Sequence, residues 1–259
     1  MKITIIGAGN MGGSIARGLA AARAARLTVC DVAQPVLDRL KADCPDVITS
    51  TDNVASVPGA DVVIVAVKPW LVPTVVETLR PLLDLRRQLF VSIAAGVTFA
   101  DLDAMLGDTE APLFRIIPNT AIAVGQSLTL MSACRADEEQ TATVRGLFDL
   151  LGRTVLIPED HMAAGTAITS CGIAYAFQYI KAAIQGAIEL GFPAAQARDM
   201  IDQTILGAIR LMETNGTMPD AEIYKVCTPG GITIKGLNEM AARSFDDAVI
   251  SGLRRAAQG

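Results

Sequence analysis

The stretch Lys2-Ile3-Thr4-Ile5-Ile6-Gly7-Ala8-Gly9-Asn10-Met11-Gly12 decides how the rest of the chain is read. Residues 2–6 are a short apolar run with strand character, ended by Gly7. Residues from about Asn10 to Ala25 carry a helical pattern. Between them lies G-x-G-x-x-G, in the order that a dinucleotide site requires. The glycines permit a tight turn, close approach of backbone to a pyrophosphate, and close packing of helix on strand. The pyrophosphate would lie at the helix N-terminus, where free N–H groups and the helix dipole favour an anion. Gly7, Ala8, Gly9, Asn10, Met11 and Gly12 are therefore expected to bind a cofactor.

Outward from this stretch the pattern repeats. Residues 27–30, 47–49, 61–67, 89–94, 113–117, 127–131 and 154–157 read as further strands, and residues 35–42 as a helix. Asp61-Val62-Val63-Ile64-Val65-Ala66-Val67 is almost wholly aliphatic, as a central parallel strand buried on both faces must be. The series is a βαβ array, hence an α/β fold with a doubly wound sheet. After Pro158 the strand patterns stop. Residues 159–190 and 193–214 are helical, with shorter helices at 219–226, 233–242 and 245–257. The expected domains are 1–157, which binds the dinucleotide, and 158–259, which is helical.

Asp31 ends the second strand about twenty residues after the glycine motif. A carboxylate there accepts from the ribose 2′-OH of NAD and repels a 2′-phosphate. No Arg follows in Val32-Ala33-Gln34, so NADH is favoured over NADPH. Thr51-Asp52-Asn53 follows the third strand and could edge an adenosine pocket. Ala66, Val67, Lys68 and Pro69 end the fourth strand, and Ala94, Ala95 and Gly96 the fifth. Both segments lie at the carboxyl edge of the sheet, where open α/β folds bind ligands. Lys68 reads equally well as an ordinary solvated side chain.

Composition narrows the function. The 259 residues are 51% hydrophobic but only 4% aromatic, so the core is aliphatic. The net charge of −5 argues against nucleic acid as a partner. Five cysteines form no C-x-x-C pair and read as reduced thiols of a cytoplasmic protein. The single histidine, His161, and the scattered cysteines give no metal-ligand spacing, so no metal is expected. No apolar run reaches the length that crosses a membrane.

One stretch of the helical half is not helical. In Thr228-Pro229-Gly230-Gly231-Ile232-Thr233, the Pro and the Gly pair stop a helix. They also let backbone N–H groups converge on an anion.

In order along the chain come GAGNMG (7–12), VAVKP (65–69), SIAAGV (92–97), RIIPNT (115–120), TPGGIT (228–233) and KGL (235–237). Together they resemble the pyrroline-5-carboxylate reductase family over nearly the whole chain, most specifically at TPGGIT and residues 166–175. The resemblance implies an N-terminal Rossmann domain and a C-terminal all-helical dimerisation domain. It implies a homodimer through those helices, in some members built further into a ring. It implies reduction of the cyclic imine 1-pyrroline-5-carboxylate to L-proline, the last step of proline biosynthesis, by NADPH or NADH. Gly230, Gly231, Ile232 and Thr233 would bind the substrate, with the Thr233 hydroxyl, the expected catalytic group, on the ring nitrogen. Asn53 would touch adenosine, residues 66–69 and 94–96 would line the nicotinamide end, and Asn119 would complete the cofactor site.

The chain departs from the family pattern in four places. Ile117-Pro118-Asn119-Thr120-Ala121 stands where Met-Pro-Asn-Thr-Pro is usual. Thr169-Ser170-Cys171-Gly172-Ile173-Ala174-Tyr175 replaces Ser-Gly-Ser-Gly-Pro-Ala-Tyr. Met162-Ala163-Ala164 replaces Met-Asp-Ala, and Thr228 replaces a Ser.

The chemistry agrees with the resemblance. A protonated imine is already an electrophile, so its reduction needs orientation more than a strong acid. The helical pocket region offers a hydroxyl beside a Gly-Gly pair and no histidine. Two alternatives stand beside this reading. A β-hydroxyacid dehydrogenase would carry a catalytic Lys on the long helix, where Tyr175 and Phe177 fall and Lys181 comes too late. A nicotinamide-binding regulatory protein would bind NADH without turnover.

Overall fold

The apolar runs pair into one eight-stranded sheet of order β3-β2-β1-β4-β5-β6-β7-β8. The strands are β1 (Lys2–Ile6), β2 (Arg26–Cys30), β3 (Ile48–Ser50), β4 (Val62–Val65), β5 (Leu89–Ser92), β6 (Leu113–Ile117), β7 (Ser127–Cys134) and β8 (Gly152–Leu156). The computed structural model describes residues 1–107 and 110–258. β4 sits between β1 and β5, and none of its four side chains is more than 1% exposed. That explains its unbroken aliphatic sequence.

All pairings are parallel except β6 with β7, which is antiparallel. Residues 118–126 connect those two strands. They are too few for a parallel crossover, which needs about a dozen or more.

Helices α1 (Asn10–Ala21), α2 (Gln34–Asp43), α3 (Asn53–Ser56), α4 (Val72–Leu79), α5 (Phe99–Leu106) and α6 (Glu138–Asp149) alternate with the strands. Ile15 and Leu19 of α1, Leu40 of α2 and Phe148 of α6 pack with Phe114 in one core. Val76 of α4 and Leu102 of α5 pack with Phe90 in another. The sheet is thus covered on both faces. Both phenylalanine rings are fully buried, and truncating either to Ala costs about 3–5 kcal/mol.

The remaining helices are α7 (Met162–Thr166), α8 (Gly172–Glu189), α9 (Ala194–Asn215), α10 (Pro219–Val226), α11 (Ile232–Ala242) and α12 (Phe245–Ala257). The long helix expected over 159–190 is broken. It opens with a 3₁₀ turn at Glu159–His161, and a π turn spans Ala167–Cys171 between α7 and α8. Two threonines back-bond to carbonyls four residues earlier, Thr166 to Met162 and Thr169 to Gly165. Such bonds compete with the regular helical ladder.

The chain forms two compact units, residues 1–170 and 171–258. The sheet ends at Leu156, beside the expected boundary of 157/158, but the first unit continues further. Met162 is buried with Ile117 and Leu130, which draws α7 into the sheet unit. Gly259, the last residue of the expected second domain, lies outside the described residues.

Candidate active site

In the sheet unit, the glycine motif forms the turn from β1 into α1. Gly9 is the N-cap and no side chain caps the helix, which also has no acidic residue in its first turn. The N–H groups of Asn10, Met11 and Gly12 are therefore left for a ligand. Gly12 packs so closely that a Cβ there would strike the Gly7 carbonyl oxygen and press on Ala66. At Gly9 the opposite holds: a Cβ would meet nothing within 4 Å. The backbone is open on the side where a pyrophosphate would approach, so the loop fits a dinucleotide.

Asp31 stands directly after β2 with both carboxylate oxygens in use. Oδ2 accepts from the Ala8 N–H at 2.8 Å and Oδ1 from the Ala33 N–H at 2.9 Å. The carboxylate thus ties the glycine loop to the end of β2. Each oxygen keeps a lone pair for a ribose hydroxyl.

Asn53 opens α3 behind its cap, Asp52, whose side chain accepts from the Ala55 N–H. Asn53 Oδ1 is buried and without a hydrogen bond. Ala66 and Val67 are half-buried beside Gly7. Lys68 is exposed at the head of the 3₁₀ turn Pro69–Leu71. Ala95 and Gly96 form an exposed loop tip between the buried Ala94 and Val97.

The Asn119 side chain, expected to face a cofactor, is only 7% exposed and is committed within the protein. Its Oδ1 accepts from the Ala121 N–H. Its Nδ2 donates at 3.3 Å to the Thr169 carbonyl in the π turn. Asn119 ties the β6–β7 connection to the π turn.

The helical unit holds the second group of residues. Thr228-Pro229-Gly230-Gly231 is a tight turn closed by Gly231 N–H to the Thr228 carbonyl at 2.9 Å. Gly230 sits at φ +71, which Pro at the preceding position and Gly here allow in a type II turn. Gly231 then caps α11 without any side-chain hydrogen bond. The N–H groups of Ile232, Thr233 and Ile234 are left free, and Thr233 is half-buried in this first turn. An uncapped helix start with a hydroxyl beside it suits a carboxylate ligand next to a hydrogen-bonding atom.

Upstream, Glu222 accepts from Lys225, Thr217 and Asn215. These donors hold its carboxyl down at about 2, with Lys225 the largest contributor. His161 is at the surface, paired with Asp160 at 2.8 Å. No cluster of metal-ligating side chains occurs among the described residues.

Residues 159–259 match the family model for pyrroline-5-carboxylate reductase dimerisation, and residues 2–96 the model for NADP oxidoreductase, coenzyme F420-dependent. Pyrroline-5-carboxylate reductase of Arabidopsis thaliana is 33% identical over 262 residues, 99% of this chain and 93% of that protein. Pyrroline-5-carboxylate reductase 1 of Dictyostelium discoideum is 30% identical over 97% of this chain, which spans 48% of that longer protein. The solved pyrroline-5-carboxylate reductase of Coxiella burnetii superposes with a TM-score of 0.90 at 30% identity, covering 99% of this chain and 96% of that one.

The chain belongs to the pyrroline-5-carboxylate reductase family. As a member of that family it is an oxidoreductase that uses a nicotinamide cofactor, with a helical dimerisation domain. Sequence reasoning about this reductase missed one group close to the site. Arg115 of β6 is buried and donates from Nη1 to Glu159 Oε1 at 2.6 Å. The same oxygen accepts from the Phe99 N–H at 2.7 Å. An arginine inside an apolar strand was the available signal, because a buried charge requires a partner. The partner lies 44 residues away and no local pattern points to it. At the same place Thr98 and Asp101 form a capping box on α5. The Thr98 hydroxyl and backbone N–H hold the Asp101 carboxyl below its ordinary range, with a smaller contribution from the Arg115 charge.

Proposed function

We propose that this chain reduces 1-pyrroline-5-carboxylate to L-proline with NADH, as a homodimer joined through helices α8 to α12. The single observation that carries the substrate is the uncapped start of α11 behind a Pro-Gly-Gly turn, with Thr233 in its first turn. It offers a carboxylate three backbone donors and offers the adjacent ring nitrogen a hydroxyl.

When bound, the dinucleotide supplies the hydride. The chain's residues supply everything else. The free N–H groups of Asn10, Met11 and Gly12 bind the pyrophosphate. The Ile232, Thr233 and Ile234 N–H groups orient the substrate carboxylate. The Thr233 oxygen accepts from the protonated imine nitrogen and fixes which ring carbon is presented. The proton is already on nitrogen, so the product amine forms without a side-chain acid. The chain's one histidine is accordingly outside the helical unit. Rate enhancement is then chiefly a matter of orientation.

Asp31 favours NADH, because its charge is held at the end of β2 by two backbone donors and would face a 2′-phosphate. The dimer rests on the helical unit's surface: α8 and α10 to α12 have no buried residue in the single chain. Rings built from such dimers would extend the same assembly. All five cysteines are free, which suits a reducing cytoplasm.

The test is oxidation of NADH and of NADPH by the purified protein with 1-pyrroline-5-carboxylate. Rapid turnover with a preference for NADH is expected. Tight NADH binding without turnover would overturn the reading in favour of a regulatory protein. A β-hydroxyacid dehydrogenase is disfavoured because Lys181 is the only lysine on α8 and it is exposed.

A further inference from the structure

The loop from β5 to α5 is held at both ends and open at its tip. At its start the Ile93 N–H bonds to the Val65 carbonyl at 3.1 Å, and the Ala94 N–H to Ser92 Oγ at 3.4 Å. At its end Thr98 and Asp101 satisfy each other's N–H groups in the capping box. That box does nothing for Phe99, the first residue of α5. The Phe99 N–H is taken instead by Glu159, 60 residues on. Between these anchors the N–H groups of Ala95 and Gly96 bond to no described residue, and Gly96 sits at φ +82.

Glu159 does not belong to the sheet. It starts the 3₁₀ turn after β8 and is the first residue of the dimerisation match. A single oxygen receives both the Phe99 N–H and the guanidinium of Arg115. Arg115 lies on β6 directly across from Ser92 of β5, and its guanidinium carbon is 5.9 Å from the centre of the Phe99 ring. Its side chain is only 7% exposed, while that of Glu159 is 35% exposed. Its Nε is buried with no hydrogen-bond partner. The buried cation therefore depends on Glu159 for its ion pair, and the same carboxylate decides where the first turn of α5 sits.

We propose that Glu159 is a positioning residue for the cofactor's nicotinamide end. By clamping Phe99 to Arg115 it sets the height of the Ala95–Gly96 tip, whose free backbone groups receive the nicotinamide carboxamide. This rests on the reading of residues 94–96 as the nicotinamide side of the site. It does not depend on which imine is reduced.

The test compares two ligands on the full-length protein. ADP-ribose carries the adenosine and pyrophosphate but no nicotinamide; NADH carries all three. In Glu159→Ala the dissociation constant for ADP-ribose stays within about twofold of wild type, while that for NADH rises at least about fivefold, as expected for loss of an oriented hydrogen-bonding surface. Glu159→Gln, which keeps an oxygen for the Phe99 N–H, recovers part of the NADH affinity. Unchanged constants for both ligands would overturn the proposal. So would a parallel weakening of both, which is what a smaller folded fraction produces. Should Glu159→Ala fail to fold because Arg115 is left buried and unpaired, Arg115→Met with Glu159→Ala removes both charges, and the same split between ligands is expected. The substrate is absent from this assay, so a wild type that fails to turn over the imine sinks the proposed reaction without touching the result.

Discussion

In the sheet unit, Val62 to Val65 of β4 are at most 1% exposed, and Phe90, Phe114 and Phe148 are fully enclosed. In the helical unit, Phe177 is 61% exposed, Leu211 53% and Ile209 44%. Ala197 alone among the described hydrophobic residues of 171–258 is buried. Both stretches are rich in aliphatic residues, so composition does not distinguish them. The sheet unit closes its core by itself. The helices present apolar side chains for which the single chain provides no cover, and exposed apolar surface on this scale marks an interface. Stability is thus a property of the chain in the first unit and of the assembly in the second.

The strongest way to break this contrast is to put a charge on the exposed helical face. Ile209→Asp should weaken self-association at least about a thousandfold, the cost of burying an unpaired carboxylate, and abolish turnover, while ADP-ribose binding persists. Sedimentation and ligand titration on the same sample would read both. A monomer that remained fully active would remove the assembly from the argument for the helical unit.

Within the sheet unit, close packing and ligand binding separate at two glycines. Gly12→Ala forces a Cβ onto the Gly7 carbonyl and should cost about 1–3 kcal/mol of stability. Gly9→Ala meets no protein atom, so its melting temperature should hold while NADH affinity falls at least about tenfold through lost approach to the pyrophosphate. Equal effects of the two substitutions on stability would contradict the open cradle at Gly9.

Thr233→Ala tests the helical unit's chemistry apart from its assembly. We expect kcat/KM for the imine to fall at least about tenfold, the order seen when one oriented donor or acceptor is lost, with the dimer intact by sedimentation. An unchanged kcat/KM would remove Thr233 from the mechanism.

The smallest effect concerns pH at the corner between α9 and α10. The Glu222 carboxyl titrates at about 2 in the folded chain against an ordinary 4.5, so the folded state favours its ionised form. Its contribution to stability is complete above the ordinary value and is lost as pH falls from 4.5 toward about 2. The difference in Tm between wild type and Glu222→Gln should therefore be steady above about pH 5.5 and shrink as the pH drops to about 3. A difference independent of pH would mean the hydrogen bonds, not the charge, matter there.

Much of the fold was legible because its signals are local. The run at 61–67 is a central strand, G-x-G-x-x-G is a strand-to-helix turn, and Pro229-Gly230-Gly231 interrupts the helices where expected. The antiparallel β6–β7 pair was less visible, since it follows from the shortness of the connection rather than from the strands themselves. The break at Ala167–Cys171 was not visible, because a period of 3.6 continues through it. The site was legible as two motifs, and the tasks of Asp31 and Asn119 were legible only in part. Their carboxylate and amide groups were read as reaching for a cofactor, and both are also hydrogen-bonded to backbone at Ala8, Ala33, Ala121 and Thr169.

The sequence by itself determined the alternation of strands and helices followed by helices alone, the glycine turn at 7–12, the interruption at Pro229-Gly230-Gly231 and the family. Each of these depends on side-chain period, on a positive φ or on a missing side chain, which act over a few residues. The tertiary structure decided what the polar groups hold: Asp31 on the glycine loop, Asn119 on the π turn, Glu159 between Arg115 and Phe99. Those partners are 23, 50, 44 and 60 residues apart. No local pattern specifies them, because a buried charge or amide takes whichever partner packing brings to it.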